Sequence, residues 1–343
     1  MNLIKILKKK NSKLLFTTPS HSGKLFILHK FYNWYKADIS EVDAYNPQKA
    51  LFNAEKKASE IYGTKFTKFL TNGSTSGVIA SVLTCAKNKK IMIWEKAHPC
   101  HKNAASLANC EIISYELDYN RSWGVYVPPK PSQIENLFSK NKPDAIIITS
   151  PTYEGLVADI RGIKQICDKH NVKLIVDEAH GALYPFCDKL PESAVKIADY
   201  TIQSLHKTAG GINPTALLHS NDLDPQEALK MINTTSPSYP MLMTIESNIN
   251  YLNSKRGKRS IEDLIKNIET LRNELNNIEF FGDDITKILI KKEGLTGEEL
   301  SSILYDKYNI EDERTNEVST MLLCGLGTTK EKLNRLKKAL KKF

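Results

Sequence analysis

The run Ala145-Ile146-Ile147-Ile148-Thr149 stops at Ser150-Pro151, and the pattern of residues beyond it restricts the fold more than any other feature. Apolar residues next recur with helical spacing at Ile160, Ile163, Ile166 and Cys167. A second apolar run, Lys173 to Val176, then ends at Asp177. Short continuous apolar runs are strands buried on both faces, and strands joined by an amphipathic helix lie parallel. Upstream, Phe66 to Leu70 predicts a strand, Thr71 to Gly77 a turn, and Val78, Ile79, Val82 and Leu83 a helix. Ile91 to Trp94 predicts a further strand. The expected class is α/β, a mostly parallel sheet with helices on both faces. Ligands of such sheets lie beyond the carboxyl ends of the strands. Ser74, His101, Thr152, Asp177 and Lys207 all come directly after predicted strands, at that end.

The turns carry the chemistry. Thr71-Asn72-Gly73-Ser74-Thr75-Ser76-Gly77 joins a strand to a helix through small residues, which presents backbone N–H groups to an anion. Taken alone, it also reads as a plain helix start. Lys207 comes after Ser204-Leu205-His206 and precedes Ala209-Gly210-Gly211. Ser204 and His206 offer hydrogen-bond donors, and partial burial favours the neutral amine that attacks a carbonyl. Taken alone, it also reads as a surface lysine. In Ala97-His98-Pro99-Cys100-His101-Lys102 the histidines suggest a metal pair, a stacking ring or a helix cap. No second ligand cluster has matching spacing, so no metal is expected. Asp177-Glu178-Ala179-His180 spells a helicase box, but the phosphate loop that box requires is absent from the sequence.

The chain has 343 residues, 41% hydrophobic and 25% charged, which suits a globular enzyme of one large and one smaller domain. The sequence has no apolar run of the roughly 20 residues needed to cross a bilayer. Met1 to Lys10 lacks the apolar core of a signal peptide. Six cysteines without close pairing read as reduced thiols, so a cytoplasmic protein is expected. The net charge of +9 is concentrated in Lys8 to Lys10 and in Lys337, Lys338, Lys341 and Lys342. No arginine-rich or aromatic-interleaved patch accompanies it, which argues against nucleic acid as a partner.

Three regions are expected: an N-terminal arm (1–45), a large domain (46–230) and a small C-terminal α+β domain (231–343). The arm includes the turn at Pro19-Ser20-His21-Ser22-Gly23 and the aromatic stretch from Phe31 to Tyr35. Past residue 230 the expected order is a loop at Thr234 to Pro240 and a helix through Leu242 and Ile249. Next come a basic turn at Lys255 to Arg259 and a helix over Ile261 to Leu275. The tail predicts strand, helix, strand, helix, with capping boxes at Thr296/Glu299 and Thr328/Glu331.

As a set, Asn72-Gly73-Ser74-Thr75-Ser76-Gly77, His101-Lys102, Ser150-Pro151-Thr152-Tyr153-Glu154-Gly155, Asp177-Glu178-Ala179-His180 and Ser204-Leu205-His206-Lys207 resemble the pyridoxal-phosphate enzymes of aminotransferase-like fold type I. The resemblance is nearest to the Orn/Lys/Arg decarboxylase family. It implies pyridoxal 5'-phosphate as cofactor and a basic amino acid as substrate, decarboxylated to a di- or polyamine precursor. By it, Lys207 forms the Schiff base, Asp177 partners the pyridine nitrogen and His101 stacks on the ring. Ser74, Thr75, Ser76, Ser204 and His206 cradle the phosphate. Thr152 lines the pocket, and His180 approaches the ring oxygen or the substrate. A homodimer with shared sites is implied, with the arm and Thr234 to Tyr239 crossing between copies. The chain is expected to be a short form without the family's further C-terminal domain. On the same scaffold, transamination, aldol cleavage, β-elimination or cofactor binding without catalysis are the alternatives.

Overall fold

The computed structural model describes residues 14–16 and 49–343. The remaining arm positions, with the turn at 19–23 and the aromatic stretch at 31–35, lie outside the described residues. Leu14 pairs in parallel with Ile310, and Phe16 exchanges backbone bonds with Glu311 and Leu323. Phe16 is fully buried beneath the Lys332 ammonium, so this short piece of the arm lies on the C-terminal part of its own chain.

Seven strands form the main sheet: β1 (Phe66–Leu70), β2 (Lys90–Trp94), β3 (Glu111–Tyr115), β4 (Ala145–Thr149), β5 (Lys173–Asp177), β6 (Tyr200–Ser204) and β7 (Ala216–Ser220). Their order across the sheet is β1-β7-β6-β5-β4-β2-β3. Pairing is parallel from β3 through to β6, while β7 runs antiparallel to both β6 and β1. The sheet is therefore mostly parallel, as the alternating pattern predicts. β7 has no counterpart in that pattern. Its polar residues, His219 and Ser220, are buried, and His219 is satisfied by Thr67 and Gln203 on the neighbouring strands. Composition thus hides a central strand.

Alternation along the strands divides the core. Ile91, Ile93, Ile147, Ile175 and Ile202 face α2 (Gly73–Cys85) and α3 (Pro99–Leu107), which come after α1 (Lys49–Tyr62). Met92, Ile146, Ile148, Leu174 and Val176 face α4 (Pro131–Lys140) and α5 (Ile160–Lys169). The inner strands β4 and β5 thus bury both faces, which is why their sequences are nearly continuous apolar runs. α2 lies close against the sheet because Gly77 has no side chain. A Cβ there would sit 2.8 Å from Leu70 Cδ1 and 3.0 Å from Ile202 Cγ2.

After α6 (Leu205–Thr208) and α7 (Gln226–Ile232) come α8 (Tyr239–Asn253) and α9 (Lys255–Asn273). The expected basic turn at Lys255 to Arg259 is instead the first turn of α9. Ser254 caps it by accepting from Gly257 N–H, and lysine and arginine are good helix formers. The chain then builds a four-stranded antiparallel sheet from β8 (Glu279–Phe281), β9 (Lys287–Lys291), β10 (Arg314–Thr315) and β11 (Thr320–Leu323), in the order β8-β9-β11-β10. With it pack α10 (Gly297–Tyr308) and α11 (Lys330–Leu340). The capping box at Thr296/Glu299 is formed. The second cap lies one residue later than expected: Thr329 accepts from Lys332 N–H, while Thr328 accepts from Gly325 N–H. Among the described residues no helix is long and apolar enough to cross a membrane.

Gly77→Ala should over-pack the α2–sheet contact by about 1–3 kcal/mol. This exceeds the ~1 kcal/mol that alanine returns in helix propensity. A net loss of stability is expected, read as a lower urea midpoint.

Candidate active site

The carboxyl ends of β1, β2, β4, β5 and β6 lie at one edge of the main sheet, and the residues just past them form the site. Lys207 lies on the single turn α6, directly after β6. Its amine is half-buried, 3.0 Å from His180 Nε2 and 5.7 Å above the centre of the Tyr153 ring. Burial pulls its pKa below the usual lysine value against the opposing charges of Asp177 and Glu313, and Lys287 adds to the fall. His180 is buried with its ring tilted against Tyr153 at 4.5 Å. Burial, with the nearby charges of Lys207 and Lys287, holds its pKa well below the ordinary histidine value. The ring is therefore neutral, and its Nε2 accepts from the lysine amine.

Asp177 closes β5. Burial alone would raise its pKa, but the hydrogen bond from His101, the charges of His101 and Lys207, and the Ala179 N–H outweigh that and keep the carboxyl below its ordinary range. His101 Nε2 donates to Asp177 Oδ2 at 2.8 Å, and the ring is 1% exposed. His101 comes from α3, which begins at Pro99. His98 is the residue that caps this helix, accepting from Cys100 N–H, so the two histidines divide the roles that the sequence left open.

The turn expected to hold an anion is less directly linked. Gly73 takes a left-handed conformation, φ +75°, and its N–H donates to Pro214 O, which ties the turn to the segment before β7. The N-cap residue Asn72 makes no side-chain cap. Ser76 is buried and donates to Gly73 O, Ser74 is half-buried, and Thr75 is exposed. His206 Nδ1 donates to Thr215 O at 3.0 Å. Burial lowers the pKa of His206, although this carbonyl opposes it. Among the described residues, Ser204 Oγ and Thr208 Oγ1 are buried without a hydrogen-bond partner, as are His101 Nδ1 and His180 Nδ1. Buried polar atoms seldom remain unpaired, and four around one lysine turn point to a polar ligand. Thr152 has a structural task, because its hydroxyl accepts from Leu156 N–H and closes the loop after β4.

Geometry thus joins Lys207 with His180 and Asp177 with His101. Among the described residues it does not bond Ser74 or Ser76 directly to Lys207. Glu178 turns away from the lysine to bond Ala194 N–H, Ser193 and Gln203, and burial pushes its pKa up to about 7. Cys100, His101 and Asp177 bring possible metal ligands within 4.8 Å of one another. Two atoms on one tetrahedral zinc, each ~2.0–2.1 Å from it, lie roughly 3.3 Å apart. The 2.8 Å from His101 to Asp177 suits a hydrogen bond better. The sequence reading missed Glu313, which accepts from Tyr153 OH, and the Asp284–Lys287 pair behind His180. Asp and Lys three apart at the start of an apolar strand was the available signal for the pair.

Residues 3–292 match the model of the family described as Orn/Lys/Arg decarboxylase, major domain. An arginine decarboxylase of Bacillus anthracis is 27% identical over 323 residues, covering 87% of this chain and 65% of that protein. The lysine decarboxylase LdcF of Francisella novicida superposes with a TM-score of 0.80 at 20% identity, covering 98% of this chain and 59% of that one. The chain thus spans less than two thirds of either decarboxylase. A ureidoglycine-glyoxylate aminotransferase of Bacillus subtilis superposes with a TM-score of 0.67 at 12% identity, covering 91% and 89%. The fold is the aminotransferase-like α/β fold.

The lowered Asp177 pKa has a stability consequence. Its ionised form contributes fully above the ordinary carboxyl value of 3.8, and that contribution is lost as pH falls through the lower folded value. The difference in unfolding free energy between wild type and Asp177→Asn should be constant near neutrality and shrink below pH 3.8. Urea melts across pH test this, and a difference that grows toward acid contradicts it.

Proposed function

Because the chain belongs to the Orn/Lys/Arg decarboxylase family, we propose that it removes the α-carboxylate of arginine, lysine or ornithine as carbon dioxide, leaving a di- or polyamine precursor. The observation that carries this reading is a half-buried lysine of lowered pKa, within the field of a buried, ionised aspartate at the end of the next strand. Pyridoxal 5'-phosphate fits these residues. The hydroxyls of Ser204 and Thr208, unpaired among the described residues, with His206 and the turn Ser74, Thr75 and Ser76, suit its phosphate, and His101 suits its ring face. When bound, the cofactor supplies an electron sink for the pair left at the α-carbon, effective while its ring nitrogen stays protonated.

The chain's own residues serve that chemistry. Asp177, kept ionised, holds a proton on the ring nitrogen. Lys207, with its depressed pKa, gives up its proton for covalent attachment more readily than an exposed lysine does. The rings of His180 and Tyr153 wall off water beside the amine, and a less polar wall favours loss of a carboxylate. The carboxylate leaves as carbon dioxide, and the α-carbon would then be reprotonated by Lys207 Nζ in its protonated form, which His180 Nε2 orients as acceptor. Glu313 and Glu154 place negative charge near Tyr153, which suits a substrate with a cationic side chain. Arg314 is half exposed, engaged with Glu154 at 3.4 Å and stacked over Tyr153. An arginine so occupied is a poor clamp for a substrate carboxylate, which favours decarboxylation over transamination.

The proposal includes an arm (1–45), a cofactor-binding unit (46–230), a smaller unit (231–343), a cytoplasmic setting and a two-fold dimer. Purified protein with pyridoxal phosphate is expected to release carbon dioxide and the matching amine from a basic amino acid. Lys207→Ala should lose the visible absorbance of the attached cofactor, and Asp177→Asn should bind it but turn over about a hundredfold or more slowly. Keto acid or glycine as product would replace decarboxylation by another reaction. Sedimentation under assay conditions should show a dimer, and full activity in a monomer would exclude shared sites.

A further inference from the structure

Lys287 and Asp284, both fully buried, stand at the start of β9, outside the chemistry of the lysine and its aspartate. Lys287 Nζ donates to Asp284 Oδ2 at 2.6 Å, to the His180 carbonyl at 2.7 Å and to Thr286 Oγ1 at 3.2 Å. Asp284 Oδ2 also accepts from Tyr184 OH at 2.7 Å. Its Oδ1 accepts from the Thr286 N–H and hydroxyl. The backbone N–H groups of Asp283 and Asp284 donate to Gly155 O at 3.0 and 2.9 Å, and Val157 N–H donates to Asp283 Oδ2. One short segment of the second sheet therefore grips both loops that flank Lys207, the one after β4 with Tyr153 and the one after β5 with His180. A buried ion pair is seldom the most stable filling for a core, since well-packed apolar residues often serve as well or better. Its retention here calls for a task beyond packing.

We propose that Lys287 and Asp284 are positioning residues: by holding the His180 carbonyl and Gly155 together, they keep the rings of His180 and Tyr153 closed over the Lys207 amine. This rests on Lys207 being the reactive amine of the proposed function. The charged and titratable groups around that amine are Asp177 from β5, His180 from the loop after it, Tyr153 from the loop after β4, His206 from α6, Lys287 from β9, Glu313 before β10, and His98 and Cys100 at the start of α3. Loosening the loops should let water reach the amine, and removing the Lys287 charge should relieve its repulsion. Both move the Lys207 pKa upward.

The test uses the full chain stripped of cofactor. Labelling of Lys207 by an amine-selective acylating reagent is tracked across pH by peptide mass spectrometry. In wild type the labelling midpoint should lie below that of exposed lysines. A midpoint equal to theirs counts against Lys207 as the poised amine, whatever the variants do. In the neutral double variant Asp284→Asn/Lys287→Met the midpoint should rise by about one pH unit. Leu304→Ala, which opens a cavity in α10 away from both loops, is the control for general destabilisation and should leave the midpoint in place. An unmoved midpoint in a folded double variant overturns the proposal, as does an equal rise in Leu304→Ala. If the double variant does not fold, Tyr184→Phe is read instead. It removes one bond to Asp284 and should give a smaller rise, and no rise overturns the proposal.

Discussion

A carboxylate held ionised at the buried end of a central strand is what the rest of the site depends on. Removing such a group from water costs several kcal/mol even after the protein relaxes. Asp177 offsets that cost through the His101 ring at 2.8 Å and the Ala179 N–H at 3.1 Å. Hydrogen bonds to a charged group contribute about 1.5–3 kcal/mol each. Without them burial would raise its pKa, and a carboxyl that took up a proton would no longer favour a positive charge beside it. α3 therefore matters less for its own stability than for carrying His101 to that carboxylate.

The lysine depends on a second balance. Burial lowers its pKa while Asp177 and Glu313 raise it, so neither effect alone decides its state. The rings that bury it come from loops whose carbonyls are held by the second sheet. Two structural layers thus meet at one nitrogen. The main sheet sets the lysine's position, and the second sheet sets how much water reaches it.

How far this was legible in the chain differs from residue to residue. Asp177 could be named because it ends an apolar run that admits only a strand, and Lys207 and His101 because each lies just past a predicted strand. Choosing His101 over His98 relied on a family's residue pattern; the structure shows His98 used as a helix cap and His101 bonded to Asp177. The proposed phosphate cradle was legible only as a type of turn. Ser76 spends its hydroxyl on Gly73 O and Thr152 spends its own on Leu156 N–H, and neither engagement leaves a mark on composition. The basic stretch at 255–259 misled because charge resembles a solvated turn, while the cap at Ser254 makes it helical.

The sequence alone determined the strand–helix alternation around β1, β2, β4 and β5, the mostly parallel character of the sheet and the end at which polar residues gather. These rest on local periodicity and on burial of both strand faces. Tertiary structure decided that β7 enters antiparallel between β1 and β6, that Glu178 turns away while Asp177 turns in, and that Lys287 and Asp284 meet His180 from over a hundred residues away. Such pairings depend on which backbone carbonyl comes to lie beside which side chain once the layers pack, and no local pattern of residues encodes that distance.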